Sequence, residues 1–235
     1  MKNATDLSIL IDRSGSMASI RADMEGALSS FLKEQREVPG ELRVTVYLFD
    51  STQGMYRNFN NNYLIPNRDD DWFIEQYKEV LVENIKEISI VPRGGTALYD
   101  AMMEGMRRTG ERLAKKNEQD RPDKVLFITI TDGGENASTT HSKTVADAVR
   151  HQETKYNWKF VYLGANQDSF LTGDTLGMTN SRGNCVNYMA SAGGTKTAGV
   201  MLSNATKRYR SAEVQMKAAD NFFSEDEQKN CENAT

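Results

Sequence analysis

The stretch that decides the fold is LSILIDRSGS, residues 7–16, which joins a short apolar run to an acidic turn rich in glycine and serine. The apolar run stops at Asp12, as a buried central strand does at its carboxyl end. A second stretch, KVLFITITDGG at residues 124–134, repeats this pattern and stops at Asp132. Two buried strands that both end in aspartate predict an α/β protein with a largely parallel sheet.

Helical periodicity separates these strands from further strand-like runs. Apolar residues recur at helical spacing over residues 20–32, 98–113 and 145–156, and strands are predicted at 42–49, 159–164 and 186–189. This alternation, without an internal linker, predicts a doubly wound, mostly parallel sheet with helices on both faces, a Rossmann-like arrangement. We predict one domain over residues 1–222, with 60–92 as a longer connecting segment and 223–235 as a polar tail.

Three further segments complete the predicted order. Residues 55–59 follow strand two so closely that they predict a hairpin and an antiparallel edge strand. Helical-looking spacing predicts a helix within residues 72–88, and another is predicted for 195–219, starting at the Gly-Gly-Thr-Lys-Thr run of residues 193–197. The sequence from Ser224 onward is polar and is expected to fray.

Composition excludes several classes of protein. The chain has 235 residues, 29 Lys plus Arg, 33 Asp plus Glu and 38% hydrophobic side chains, so it is neither a disordered polyelectrolyte nor a membrane-spanning chain. A net charge of -4 argues against nucleic acid or anionic lipid as a partner. Two cysteines and the lack of a signal-peptide core at the N-terminus predict a cytoplasmic location.

The predicted strand ends carry oxygen-bearing side chains. In doubly wound sheets, ligands bind at the carboxyl ends of strands where the strand order reverses. The segments expected to meet there supply two carboxylates and three hydroxyls, from Asp12, Ser14, Ser16, Thr96 and Asp132. Mg²⁺ prefers such hard donors and keeps water ligands, and Ca²⁺ or Mn²⁺ are further candidate occupants.

Each of these segments also has an ordinary structural interpretation. The DxSxS pattern is common in turns, Thr96 suits a helix N-cap, and Asp132-Gly133-Gly134 suits a turn. Their joint occurrence at the ends of predicted elements favours a metal site. Two carboxylates neutralise a divalent ion and the hydroxyls add no charge, so the carboxylate of a partner can take the place of a water.

The segments ILIDRSGSM (9–17), GGTALYDAM (94–102) and ITDGGEN (130–136) resemble the three parts of the metal-ion-dependent adhesion site of von Willebrand factor A domains. The resemblance covers essentially the whole chain by element order and is closest to intracellular single-domain members from bacteria and phages. It implies a Mg²⁺ site formed by Asp12, Ser14, Ser16, Thr96 and Asp132.

The leading functional hypothesis is therefore a non-enzymatic, Mg²⁺-dependent protein-binding module whose partner donates Asp or Glu to the metal. One alternative is a metal-dependent phosphohydrolase, for which His141 and His151 are the candidate proton-transfer groups. Another is an ion-independent scaffold that uses aromatic residues within 60–92.

Three charged residues flank the predicted site. Arg13 and Arg93 adjoin the ligand segments and could attract an acidic partner, but solvated loop charge is the commoner role and is expected for both. Asp50, at the end of strand two, could lie near the rim of the site or cap a turn, and the turn is favoured.

Overall fold

A computed structural model describes residues 3–51, 72–213, 215–232 and 234 of the chain. Within them the strands are β1 (Thr5–Asp12), β2 (Leu42–Phe49), β3 (Phe73–Leu81), β4 (Lys124–Thr131), β5 (Lys159–Ala165) and β6 (Cys185–Tyr188). The helices are α1 (Arg21–Arg36), α2 (Leu98–Ala114), α3 (Ser142–Tyr156), α4 (Ser169–Thr175), α5 (Ser181–Asn184), α6 (Ala192–Ser211) and α7 (Glu225–Glu232). The predicted strand at 55–59 lies outside the described residues.

The strands form a sheet in the order β3-β2-β1-β4-β5-β6. All neighbouring pairs are parallel except β2 and β3, which makes β3 an antiparallel edge strand. The predicted fold class is confirmed. The order reverses between β1 and β4, so the crevice expected for a ligand lies at the carboxyl ends of these two strands.

The sheet is covered on both faces because its strands alternate between two apolar cores. On β1, Leu7, Ile9 and Ile11 face the core that contains α1, α6 and α7. Leu10 faces the opposite core, which contains α2 and α3. This two-sided burial explains the almost uninterrupted apolar run of β1 and β4 in the sequence.

The predicted helix within residues 72–88 is wrong. Residues 73–81 form β3, and a short 3-10 turn at Val82–Asn84 follows. Against β2, the register slips twice: Val44 and Val46 pair with Val80 and Tyr77, and Tyr47 pairs with Glu75. Each slip adds one residue to β3, so side chains three apart share a face, which imitates helical spacing.

The last predicted helix also needs correction at its end. Helix α6 begins at Ala192 and ends at Ser211, eight residues before the predicted end. The ammonium of Lys124, at the start of β4, donates hydrogen bonds to the backbone carbonyls of Tyr209, Arg210 and Ala212. These bonds satisfy carbonyls at the C-terminus of the helix and so favour its end there. The Gly193–Thr197 run lies in the first turns of α6, as the sequence predicts.

The prediction of a frayed tail is wrong as well. Ser224 and Glu227 form reciprocal hydrogen bonds in which Glu227 N donates to Ser224 Oγ (3.2 Å) and Ser224 N donates to Glu227 Oε2 (2.9 Å). This capping box starts α7. Phe222, Phe223 and Cys231 are all buried in the core beside α6, so the segment is packed.

None of the helices in the described part of the chain combines the length and the apolar character needed to cross a bilayer.

Candidate metal centre

The five side chains predicted as ligands lie together at the carboxyl edge of the sheet. Asp12 ends β1, Ser14 and Ser16 follow it directly, Thr96 precedes α2, and Asp132 follows β4. Backbone bonds fix the first two loops against each other: Gly15 N donates to Gly94 O (3.0 Å), and Arg93 N donates to Arg13 O (2.8 Å). The site is therefore held by backbone contacts as well as by its side chains.

Hydrogen bonds connect the five side chains. Ser16 Oγ donates to Asp132 Oδ1 at 2.7 Å, and the Ser14 and Ser16 hydroxyl oxygens lie 3.0 Å apart. Ser14 N donates to Asp12 Oδ1 at 2.6 Å, and Thr96 Oγ1 lies 3.5 Å from Asp12 Oδ2. Residues more than a hundred positions apart in the sequence thus form one cluster of oxygen atoms.

The two carboxylates lie at different depths. Asp12 has no solvent-exposed surface, whereas Asp132 is half-buried and Ser16 is exposed. Burial raises the pKa of Asp12 to about 6, although the hydroxyl of Thr131 and the amide of Ser14 act in the opposite direction. Burial also raises the pKa of Asp132, against the hydrogen bond from Ser16. The exposed side of the cluster is the side that a partner can reach.

The donor set fits a hard cation. Within the described part of the chain, no Lys, Arg or His forms an ion pair with Asp12 or Asp132, so the charge of these two carboxylates has no cationic partner there. In the same residues, no group of three His, Cys, Asp or Glu has metal-binding geometry. Carboxylates supplemented by hydroxyls are the oxygen donors that hard divalent cations prefer.

The charged neighbours behave differently from the sequence expectation. Arg13 is only 4% exposed and is therefore not the solvated loop charge that the sequence predicts. Asp50, which the sequence predicts as a turn cap, is 2% exposed. Arg13 Nη2 lies 2.9 Å and Arg93 Nε 2.5 Å from Asp50 Oδ2. Asp50 therefore joins the end of β2 to both loops, because a buried carboxylate requires cationic partners.

Three residues that the sequence reasoning did not single out support the cluster. Thr131 Oγ1 donates to Asp12 Oδ2 at 2.6 Å. Asn136 bonds to the backbone of Thr96. Glu135 Oε2 accepts from Tyr99 N at the start of α2, and its Oε1 accepts from Ala137 N. The sequence feature that could have pointed to them is their position in one short segment around Asp132, residues 131–136.

The histidines and aromatic residues considered in the sequence are not among the hydrogen-bonded members of the cluster. His151 lines a cavity with Val125, at the amino end of β4, whereas the cluster is at the carboxyl end. His141 is the exposed N-cap residue of α3. Phe73 is buried, and Trp72 and Tyr77 are partly buried against the two cores, which leaves these aromatics in packing roles.

Comparison with known proteins identifies the fold. No protein-family model matches the sequence, and no curated protein matches it. Among solved structures, a von Willebrand factor type A protein from Catenulispora acidiphila matches with a TM-score of 0.50 and 12% identity over 86% of this chain and 42% of that one. The chain has a von Willebrand factor A-like fold.

Two further structures share this fold. Pilus adhesin SpaC from Lactobacillus rhamnosus GG has a TM-score of 0.56 and 12% identity over 87% of this chain and 30% of its own. Proximal thread matrix protein 1 from the mussel byssus, described with a zinc-occupied metal-ion-dependent adhesion site, has a TM-score of 0.55 and 13% identity over 86% of this chain and 46% of its own. The present chain thus spans less than half the length of each of these proteins.

Proposed function

We propose that this protein is a divalent-cation-dependent protein-binding module whose metal site is formed by Asp12, Ser14, Ser16, Thr96 and Asp132. The observation that carries the proposal is the cluster itself, in which three hydroxyls from two segments lie beside two carboxylates that have no cationic partner within the described residues. Its position at the strand-order reversal, where doubly wound folds bind ligands, supports the same conclusion.

The charge of the donor set determines what the site can recognise. Asp12 and Asp132 together balance a divalent cation, and the three hydroxyls add no charge. A bound ion would supply an electrophilic point for a carboxylate. Ser16 and Asp132 lie on the accessible side of the cluster, so the fitting partner is a protein that presents an Asp or Glu side chain there.

Mg²⁺ is the proposed ion, with Ca²⁺ and Mn²⁺ as alternatives. The proposed ligands are all hard oxygens, which favour these ions over zinc. The mussel protein described above contains zinc at the corresponding type of site, so zinc belongs among the ions to be compared. We also infer a binding rather than an enzymatic role, because His151 lies at the opposite end of β4 from the cluster.

The expected partner is a protein and not nucleic acid or membrane, because the net charge of -4 gives little attraction for polyanions. The cytoplasmic location and the single-domain organisation remain predictions from the sequence.

A capture experiment tests the proposal. Immobilised wild type and Asp12→Asn are exposed to extract in Mg²⁺, in chelator, and in chelator followed by excess Mg²⁺. We expect wild type to retain a partner only when Mg²⁺ is present, and we expect Asp12→Asn not to retain it. Neutralising one acidic residue of that partner should abolish its binding to wild type. A partner retained equally in every arm would contradict the proposal and favour an ion-independent scaffold. Phosphoester turnover by wild type that Asp132→Ala abolishes would favour a hydrolase.

A further inference from the structure

The backbone of Thr96 is held on both sides by one residue, Asn136. Thr96 N donates to Asn136 Oδ1 at 2.9 Å, and Asn136 N donates to Thr96 O at 3.1 Å. Thr96 itself is 2% exposed, and its hydroxyl faces Asp12. The two bonds join the loop after β4 to the loop before α2, so Asn136 fixes where the Thr96 hydroxyl lies relative to the rest of the cluster.

The neighbouring glycine accommodates this contact. A Cβ atom at Gly95 would lie 2.8 Å from Asn136 Oδ1, closer than such atoms approach each other without displacement. A Cβ atom at Gly134 would meet nothing within 4 Å. An alanine at position 95 would therefore displace the Asn136 side chain, whereas position 134, in the same loop as Asn136, has room for a methyl group.

Resting on the proposed metal site, we propose that Asn136 is a positioning residue that makes the site prefer Mg²⁺ to Ca²⁺. Mg²⁺ requires oxygens at about 2.0–2.1 Å in a nearly ideal octahedron, whereas Ca²⁺ accepts about 2.3–2.6 Å and irregular geometry. A Thr96 hydroxyl that is held in one place suits the strict geometry of Mg²⁺. Once Thr96 is free to shift, the small ion loses a well-placed ligand and the larger ion adapts.

The test compares five proteins by isothermal titration with MgCl₂ and with CaCl₂: wild type, Asn136→Ala, Asn136→Asp, Gly134→Ala and Gly95→Ala. Loss of an outer-shell partner typically weakens metal binding by about 10- to 100-fold. We expect a loss of this size for Mg²⁺ in Asn136→Ala and a loss below about threefold for Ca²⁺, whose coordination is more tolerant. The Mg²⁺ to Ca²⁺ affinity ratio is the quantity that reports positioning.

The other three variants separate this positioning role from a general loosening of the loops. Asn136→Asp keeps an acceptor oxygen for Thr96 N, so its affinity ratio should match that of wild type even though its added charge strengthens binding of both ions. Gly134→Ala should match wild type for both ions. Gly95→Ala, which displaces the Asn136 side chain while leaving its amide intact, should lower the ratio as Asn136→Ala does.

A metal-free measurement provides a second readout. The Thr96 amide should exchange its hydrogen faster in Asn136→Ala than in wild type, with no change in Gly134→Ala, because Asn136 Oδ1 is the acceptor of that amide.

The outcomes are distinguishable. Wild type that binds neither ion would overturn the proposed function, and this inference with it. Wild type that binds Mg²⁺, together with an Asn136→Ala variant that has an unchanged affinity ratio, would overturn the positioning role alone. An equal loss for both ions would also overturn it, since that result reports general loosening of the loops.

Discussion

Thr131 shows how much one hydroxyl contributes at the residue scale. Its Oγ1 donates to the buried Asp12 Oδ2 and is also within hydrogen-bonding distance of Gly133 O, at 2.6 and 2.9 Å. A carboxylate withdrawn from water needs such donors, because leaving it without them incurs the full cost of desolvation. Thr131, which has no exposed surface, therefore supports Asp12 from the buried side of the cluster.

We expect Thr131→Val to destabilise the metal-free protein by about 1–3 kcal/mol, the usual cost of leaving a buried polar group without its partner. Urea unfolding in chelator measures the change. Thr154→Val, at an exposed position of α3 where the hydroxyl bonds only to helix carbonyls, is the matched control and should change stability little. Equal midpoints for wild type and Thr131→Val would contradict this account of Asp12.

The sequence allowed the five clustered residues to be predicted because each sits beside a strongly patterned element. Asp12 and Asp132 end apolar runs, and Thr96 precedes a clear amphipathic helix. Asn136 and Glu135 could not be found in this way, since their roles depend on contacts with a loop about forty residues earlier. Arg13 was misjudged for the same reason: only the tertiary fold buries it against Asp50.

At the scale of elements, α2 depends on a close approach to the sheet. A Cβ atom at Gly105 would lie 2.9 Å from the ring of Phe127 on β4, whereas one at Gly110 would meet no atom within 4 Å. Both glycines lie inside α2, so helix propensity favours alanine at both by about 1 kcal/mol. Packing makes the two positions differ, because adding a methyl group where neighbouring atoms already fill the space costs about 1–3 kcal/mol.

Gly105→Ala should therefore be neutral or destabilising by up to about 2 kcal/mol, and Gly110→Ala should stabilise by up to about 1 kcal/mol. Chemical denaturation of the two variants gives the comparison directly, and each serves as the control for the other. Stabilisation by both substitutions to the same extent would mean that α2 does not pack against Phe127 at this distance.

The elements that the sequence misjudged share a physical cause. In β3, two inserted residues replace the period of two by spacings of three, and Glu79 takes a left-handed φ of 52° at one of the slips. Such bulges arise from pairing with β2, and the local sequence pattern of β3 contains no information about that pairing. The start of α7 could have been predicted, because Ser224 and Glu227 form an S-x-x-E capping-box motif. The polar composition of the segment led instead to the prediction of a frayed tail.

At the scale of the whole molecule, the C-terminal segment is part of the folded unit. The ammonium of Lys159 on β5 donates to the carbonyls of Lys217, Ala218 and Asp220. Arg208 on α6 pairs with Glu227 on α7 at 2.6 Å. Together with the buried phenylalanines before α7, these contacts join the segment to the sheet and to the last long helix.

Deletion of residues 224–235 should therefore lower the free energy of unfolding by at least about 2 kcal/mol, the lower range for losing a buried side chain such as Cys231 together with its packing. Urea unfolding of the full-length and shortened chains measures this loss of stability. A shortened chain with unchanged stability would support a frayed tail instead. Cys231→Ser, which keeps the segment but places a hydroxyl in the core, should destabilise in the same direction.

Segments distant in the sequence are proposed to build one cation site whose charge comes from Asp12 and Asp132. Titration of Mg²⁺ into wild type, Asp12→Asn and Asp168→Asn measures that contribution. Asp168 is the matched control: it carries the same charge, caps α4 by accepting from Leu171 N at 2.9 Å, and asparagine caps equally well.

We expect saturable Mg²⁺ binding to wild type and to Asp168→Asn, and an affinity at least about 100-fold weaker for Asp12→Asn, beyond the usual effect of an outer-shell residue. Equal Mg²⁺ affinity in all three proteins, or no binding to wild type, would rule out this cation site.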